Sequence, residues 1–269
     1  MKSSANPAAF DATEALSKVP QVTLLFWIIK IFCTTLGETG GDAVTQALLP
    51  DVFHLSEGLS YGLGTLFFAV IFLAFVFLQI RARAFHPVIY WLTIIATTTV
   101  GTTMADLADR PGGLGYALGS SLLLALVLAS LSLWYWTMGS ISIKTVRTTR
   151  VELFYWVTIM FSQTLGTALG DWVADSEKIG YLGGIALFAG LLALVAALHF
   201  FTRISKPLLF WAAFILTRPL GAVVGDFLDK PLAQGGLNLS RFVASGILIL
   251  LIALMLWRFK QKPAEAEGH

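Results

Sequence analysis

Residues 25–42 read LFWIIKIFCTTLGETGGD, and three later stretches keep the same frame: IYWLTIIATTTVGTTMAD (89–106), FYWVTIMFSQTLGTALGD (154–171) and LFWAAFILTRPLGAVVGD (209–226). Each opens on an aromatic–tryptophan pair: Phe26-Trp27, Tyr90-Trp91, Tyr155-Trp156 and Phe210-Trp211. A glycine follows ten residues after each tryptophan (Gly37, Gly101, Gly166, Gly221), and an aspartate fifteen residues after it (Asp42, Asp106, Asp171, Asp226). Spacing held through four copies indicates fourfold duplication of one unit.

The surrounding composition sets the medium. The chain has 269 residues, 57% of them hydrophobic and 13% charged, against about 25% charged in soluble domains. This implies an integral membrane protein with the lipid bilayer as its partner. A net charge of +2 with dispersed bases gives no nucleic-acid footprint. Cys33 is the lone cysteine, so no intramolecular disulfide and no CxxC metal or redox motif exists. The polar residues 1–20 carry no signal-peptide pattern.

A spanning helix needs about 20 mostly apolar residues. That window places eight transmembrane helices near 21–48, 59–80, 86–108, 113–138, 150–174, 180–202, 206–229 and 239–259. The expected fold is all-α: four parallel two-helix repeats (21–80, 86–138, 150–202 and 206–259) around a central axis, inside a transmembrane domain at 21–259. Residues 1–20 and 260–269 form two short tails. Bases follow the even spans (Arg81, Arg83, Lys144, Arg147, Arg150, Arg203, Lys206), whereas acids such as Asp51, Glu57, Asp109, Asp175 and Glu177 fill the alternate loops. The positive-inside rule therefore places both termini in the cytoplasm, with the protein in the cytoplasmic (inner) membrane. The even helices (LGTLFFAVIFLAFVFL, SLLLALVLASLSLWYW) suit the outside of the ring, and the odd ones its inside. The tryptophans read as an interfacial belt, and His199 as an interfacial residue.

The glycines form small-xxx-small pairs, Gly37 with Gly41, Gly101 with Ala105, Gly166 with Gly170 and Gly221 with Gly225, which let helices approach closely. The aspartates need another account. Fifteen helical residues carry each one about 22 Å from its tryptophan in a core about 30 Å thick. A charge near a helix centre costs roughly 2.5–3.5 kcal/mol on insertion scales and less near the interface. Thr35, Glu38 and Asp42 share one helix face, as do Thr99, Thr102 and Asp106, and Thr164, Thr167 and Asp171. Carboxylates and hydroxyls at one level suit a hard cation such as Mn²⁺, Mg²⁺ or Ca²⁺. The candidate ion- or metal-binding residues are accordingly Glu38, Asp42, Asp106, Asp171 and Asp226, with Thr35, Thr102 and Thr167 as further oxygen donors. The competing reading is structural: loop caps, or acids that neutralise buried bases.

Deviations from the repeat point to mechanism. Glu38 stands where the other copies have Thr102, Thr167 and Ala222, and Arg218 where they have Thr34, Thr98 and Gln163. Arg218 is deep and permanently charged, so pairing with Glu38 or Asp42 is expected, and with it a gating role. Pro219 beside it is able to kink the helix. Lys30, three residues past Trp27, is expected to snorkel to the cytoplasmic interface as a counter-charge. Glu38 is the candidate for coupling to protons.

The segments FWIIK (26–30), LGETGGD (36–42), VRTTRVELFYW (146–156) and ILTRPLGAVVGDFLDKP (215–231) resemble a family of bacterial integral membrane proteins known as uncharacterised membrane-anchored proteins. The resemblance runs from about Val19 to Leu256 and implies the eight-span architecture, with no substrate attached. The resulting expectation is a carrier for a hard divalent cation, proton-coupled through Glu38 and holding no cofactor beyond its cargo. A cation channel and a non-transporting scaffold with a structural acidic ring are the alternatives. HExxH, GxSxG and intramembrane protease patterns are missing from the spans, so an enzyme is not expected.

Overall fold

The structure, a computed structural model, describes residues 16–176 and 179–265. Most of the tail read at 1–20, Glu177 and the last four residues of the tail at 260–269 lie outside the described residues. Among those described are eight long helices: α1 (Leu24–Asp42, continued by a π-helical stretch Ala43–Val52), α2 (Glu57–Arg81), α3 (Pro87–Asp109), α4 (Tyr116–Met138), α5 (Thr149–Asp171, continued by Trp172–Ser176), α6 (Gly180–Phe201), α7 (Lys206–Asp229) and α8 (Arg241–Arg258). Local chemistry marks their ends. The Thr23 hydroxyl accepts from Phe26 N–H at the start of α1, His86 Nδ1 caps α3 ahead of Pro87, and Gly139 closes α4 at φ 73°, where a side chain would be strained.

The odd helices form a closed ring in the order α1, α3, α5, α7, with α7 returning to α1. The even helices lie outside. In α3 and α7 some 72% of the apolar window is buried, against 17% in α2 and 11% in α6. Six helices, α2, α3, α4, α6, α7 and α8, are long and apolar enough to cross a membrane. The other two inner helices fall short because they hold polar groups in the core: Lys30 and Glu38 in α1, Glu152 and Gln163 in α5.

The sequence hairpin is not the packing unit. The outer helix of each repeat lies on the inner helix of the next: α2 on α3, α4 on α5, α6 on α7, and α8 back on α1. This last pairing closes the circle, and the two ends of the chain meet. Gln21 N–H donates to Lys262 C=O at 2.9 Å, Ala264 N–H to Val19 C=O at 2.8 Å, and Pro20 and Pro263 form an antiparallel bridge. Residues 17–19, read as part of a tail, are buried. Lys18 ion-pairs with Glu152 at 2.6 Å and donates to the last carbonyls of α2.

Two expectations need correction at this end of the ring. Trp91, Trp156 and Trp211 are buried, not interfacial. The aromatic residue before each tryptophan packs on the tryptophan of a neighbouring repeat. Ring centroids lie 5.4 Å apart for Phe26–Trp91, 5.8 Å for Tyr90–Trp156, 6.0 Å for Tyr155–Trp211 and 5.7 Å for Phe210–Trp27. Such pairs add about 0.5–1.5 kcal/mol each beyond area burial, so the motif fastens the inner helices to one another. Lys30 does not snorkel either. It is fully buried, with Nζ 3.7 Å from the Phe214 ring centroid, a cation–π contact without any hydrogen-bond partner among the described residues. Its ammonium meets the Phe214 ring where a snorkelling lysine would meet water. His199 is exposed in the last turn of α6.

Candidate functional site

The motif glycines set how closely the inner helices approach. A Cβ on Gly37 would collide with Thr98, one on Gly166 with Arg218, and one on Gly221 with Thr34; on Gly101 it would stand 3.0 Å from Gln163. Each glycine therefore packs on the residue one turn lower in the neighbouring repeat, around all four interfaces. The second small residue repeats the arrangement one turn higher: a Cβ on Gly41 would lie 3.2 Å from Thr102, on Gly170 3.1 Å from Ala222, and on Gly225 2.7 Å from Glu38. Close backbone approach brings the next layers of side chains onto the axis.

Arg218 occupies the centre of that axis. One of its terminal nitrogens, Nη2, shares its two N–H donors among Glu38 Oε2 at 3.0 Å and the hydroxyls of Thr102 and Thr167. Glu38, Thr102 and Thr167 hold the same position in repeats one to three, so a single guanidinium from repeat four joins all of them. The fourth equivalent, Ala222, is buried and brings no polar group to this layer. The single Thr102 hydroxyl proton has three acceptors in reach: Thr98 C=O at 3.1 Å, Gly37 C=O at 3.2 Å and Glu38 Oε2 at 3.3 Å. α7 runs unbroken through Pro219, so the proline does not divide the helix. Thr35 is buried with no partner for its hydroxyl among the described residues, whereas Thr99 and Thr164 donate back to carbonyls of their own helices.

Above this layer the four repeat aspartates are all buried, and each faces a base. Arg110 Nε lies 3.1 Å from Asp106 and its Nη2 3.9 Å from Asp171. Lys230 Nζ lies 2.9 Å from Asp42 and 3.1 Å from Asp226. Arg241 Nε is 2.8 Å from Asp229, with Nη2 3.0 Å from Gln46 Oε1 and 3.9 Å from Asp42. Burial favours loss of the Lys230 proton, but Asp42, Asp226 and Asp229 outweigh it and hold the ammonium well above its ordinary pKa. Six buried carboxylates (Glu38, Asp42, Asp106, Asp171, Asp226, Asp229) thus meet four bases. Two triads bring one oxygen of each member within 4.8 Å of the others: Glu38, Asp171 and Asp226, and Asp42, Asp226 and Asp229. An open cavity of about 620 Å³ covers this end, lined by Gln46, Arg110, Tyr181, Lys230, Gln234 and Arg241.

Arg110, Lys230 and Arg241 are not singled out by the sequence, and Asp229 reads there only as one of the acids beside possible loop caps. A signal for two of them exists: four residues past each repeat aspartate stand Gln46, Arg110, Asp175 and Lys230. That is one helical turn, the spacing of an intrahelical ion pair.

Fold and site define an all-α protein of four repeats with a buried, charge-paired axis. The chain belongs to the family Repeat of Unknown Function (DUF347), whose repeat matches residues 25–85, 89–140, 154–205 and 209–262. Each match begins one residue before an aromatic–tryptophan pair. No curated protein and no solved structure matches the chain.

Proposed function

We propose that the protein is an integral membrane carrier for a hard divalent cation, inserted through eight spans with both termini in the cytoplasm of a bacterial cell. The observation that carries this reading is the imbalance at the acidic end, where six buried carboxylates face four bases. A deficit of two positive charges in a low-dielectric site is costly; protons or a cation among the carboxylates relieve it, and a divalent cation in place of one base halves it. All ligands are oxygens, which selects Mn²⁺, Mg²⁺ or Ca²⁺ over softer metals.

A carrier fits better than a channel because the axis is filled. Arg110, Lys230 and Arg241 stand between the aspartates and the cavity, and Arg218 stands below them on Glu38. A cation entering from the cavity displaces one base of this first group. It moves on only when Arg218 releases Glu38, and the freed carboxylate is then the natural proton acceptor of an exchange cycle. The two barriers on either side of one set of ligands are the elements an alternating-access cycle requires. The scaffold reading keeps one observation in its favour, since each repeat aspartate has a base partner. Reconstituted liposomes loaded with a divalent-sensitive dye decide between them. Uptake of Mn²⁺, Mg²⁺ or Ca²⁺ that responds to a pH gradient supports the carrier, and silence with folded protein supports the scaffold.

A further inference from the structure

We propose that Asp42, Asp226 and Asp229 form a divalent-cation site whose resident occupant is the ammonium of Lys230. The proposal builds on the cation-carrier reading and adds the place of first binding and the group that competes for it.

The geometry has the size of an oxygen-ligand site. One oxygen from each carboxylate lies within 4.8 Å of the other two, and two oxygens on opposite sides of a calcium ion at about 2.4 Å are about 4.8 Å apart. Lys230 Nζ already pairs with two of the three, 2.9 Å from Asp42 Oδ2 and 3.1 Å from Asp226 Oδ1, while Asp229 pairs with Arg241. These are ammonium distances, a few tenths of an ångström longer than calcium–oxygen bonds.

The lysine leaves the site under-used. Asp42 Oδ1 and Asp229 Oδ1 are buried and accept no hydrogen bond among the described residues, although Asp42 is only 1% exposed. An ammonium brings three donors, whereas a divalent cation of this class takes six or more oxygens. Two buried carboxylate oxygens without donors are what a site built for a metal retains when a lysine fills it.

Lys230 is placed to leave. Its backbone is fixed, with N–H donating to Asp226 C=O at 2.9 Å and C=O accepting from Asn238 N–H at 2.9 Å. The residue lines the 620 Å³ cavity and its side chain keeps 11% exposure, so the four-carbon stem can swing outward without moving the helix. Arg241, anchored on Asp229 and Gln46, stays behind. With Lys230 gone, three carboxylates and one guanidinium leave a charge that a divalent cation offsets.

The test is equilibrium binding of Mn²⁺ to purified full-length protein in detergent, followed by the loss of the free-ion paramagnetic resonance signal. Lys230→Met keeps the stem and removes the competitor, so it should bind Mn²⁺ about tenfold or more tightly than the parent protein, since a like charge in the site opposes binding. Adding Asp42→Asn should abolish that gain, and Ca²⁺ should compete. Folded Lys230→Met that binds no more tightly overturns the proposal. Should that variant not fold, labelling of the parent protein by an amine reagent, read at Lys230 by mass spectrometry, takes its place. Labelling that rises with Mn²⁺ supports displacement, and labelling that stays constant overturns it. Flux in liposomes with unchanged binding in Lys230→Met would sink this inference alone. Tight binding in that variant without any flux would sink the carrier reading alone.

Discussion

Arg218 and Glu38 stand 180 residues apart in the chain and meet at 3.0 Å on the axis of the inner ring, with both side chains shielded from water. They occupy neighbouring layers of the repeat, and each is the single ionisable residue among its four equivalents. The fourfold pattern is therefore broken twice, and the two breaks are partners. Breaking such a pair from one side leaves a buried, uncompensated charge, at a cost of about 3–5 kcal/mol. Arg218→Gln should destabilise the protein on that scale in equilibrium unfolding from mixed micelles. Glu38→Gln added to it should restore part of the loss. Strictly additive effects would mean that the two side chains do not depend on each other.

Lys30 makes the opposite prediction. Among the described residues it has no hydrogen-bond partner, and the Phe214 ring lies against its ammonium. Lys30→Met keeps the volume and removes a desolvated polar group, so stability should be unchanged or higher, within about 1.5 kcal/mol of the parent. Lys18→Met, by contrast, strands the fully buried Glu152 and should cost about 3–5 kcal/mol. Thermal melting of the two variants in one detergent compares them directly. Equal losses would contradict the distinction.

Ring closure depends on missing methyl groups. Gly37→Ala and Gly166→Ala push a Cβ into Thr98 and Arg218, and overpacking of this kind costs about 1–3 kcal/mol. Gly190→Ala in α6 meets open space and should be neutral, or stabilising by about 0.5–1 kcal/mol from helix propensity. Melting temperatures should separate the two groups. A Gly37→Ala protein as stable as Gly190→Ala would mean that the inner helices are further apart than described.

The cyclic packing predicts tolerance to permutation. The paired ends at 17–21 and 262–264 can be joined by a short linker and the chain opened between α2 and α3. Since α2 rests on α3 and α8 on α1, the permuted chain keeps every helix contact and should melt close to the parent. A permutant that inserts but fails to form a monodisperse, cooperatively melting species would contradict the closed ring.

Much of this was legible in the sequence, for particular reasons. The aromatic–tryptophan, glycine and aspartate positions recur without slippage, so the four inner helices and their register could be placed, and α3, read at 86–108, runs from Pro87 to Asp109. Arg218 and Glu38 stood out because they violate a repeat. The partner of each outer helix was not legible: α2, α4 and α6 are apolar nearly all round, so periodicity carries no information on which face packs. The tryptophans read as a belt because composition cannot tell an interfacial indole from one packed on its neighbour's aromatic ring. Arg110, Lys230 and Arg241 were overlooked because charges beyond a span read as loop charges. Only the contacts reveal that they fold back over Asp106, Asp42, Asp226 and Asp229.

Asp226 belongs to both carboxylate triads, so it bears most directly on the proposed function. Mn²⁺ uptake into liposomes holding the parent protein or Asp226→Asn, with equal amounts of folded protein in each and a pH gradient applied, is the decisive measurement. The carrier account predicts gradient-dependent uptake by the parent protein and its loss, by about a hundredfold or to background, in Asp226→Asn, since a carboxylate ligand shared by both sites is removed. Uptake by Asp226→Asn equal to that of the parent would contradict it.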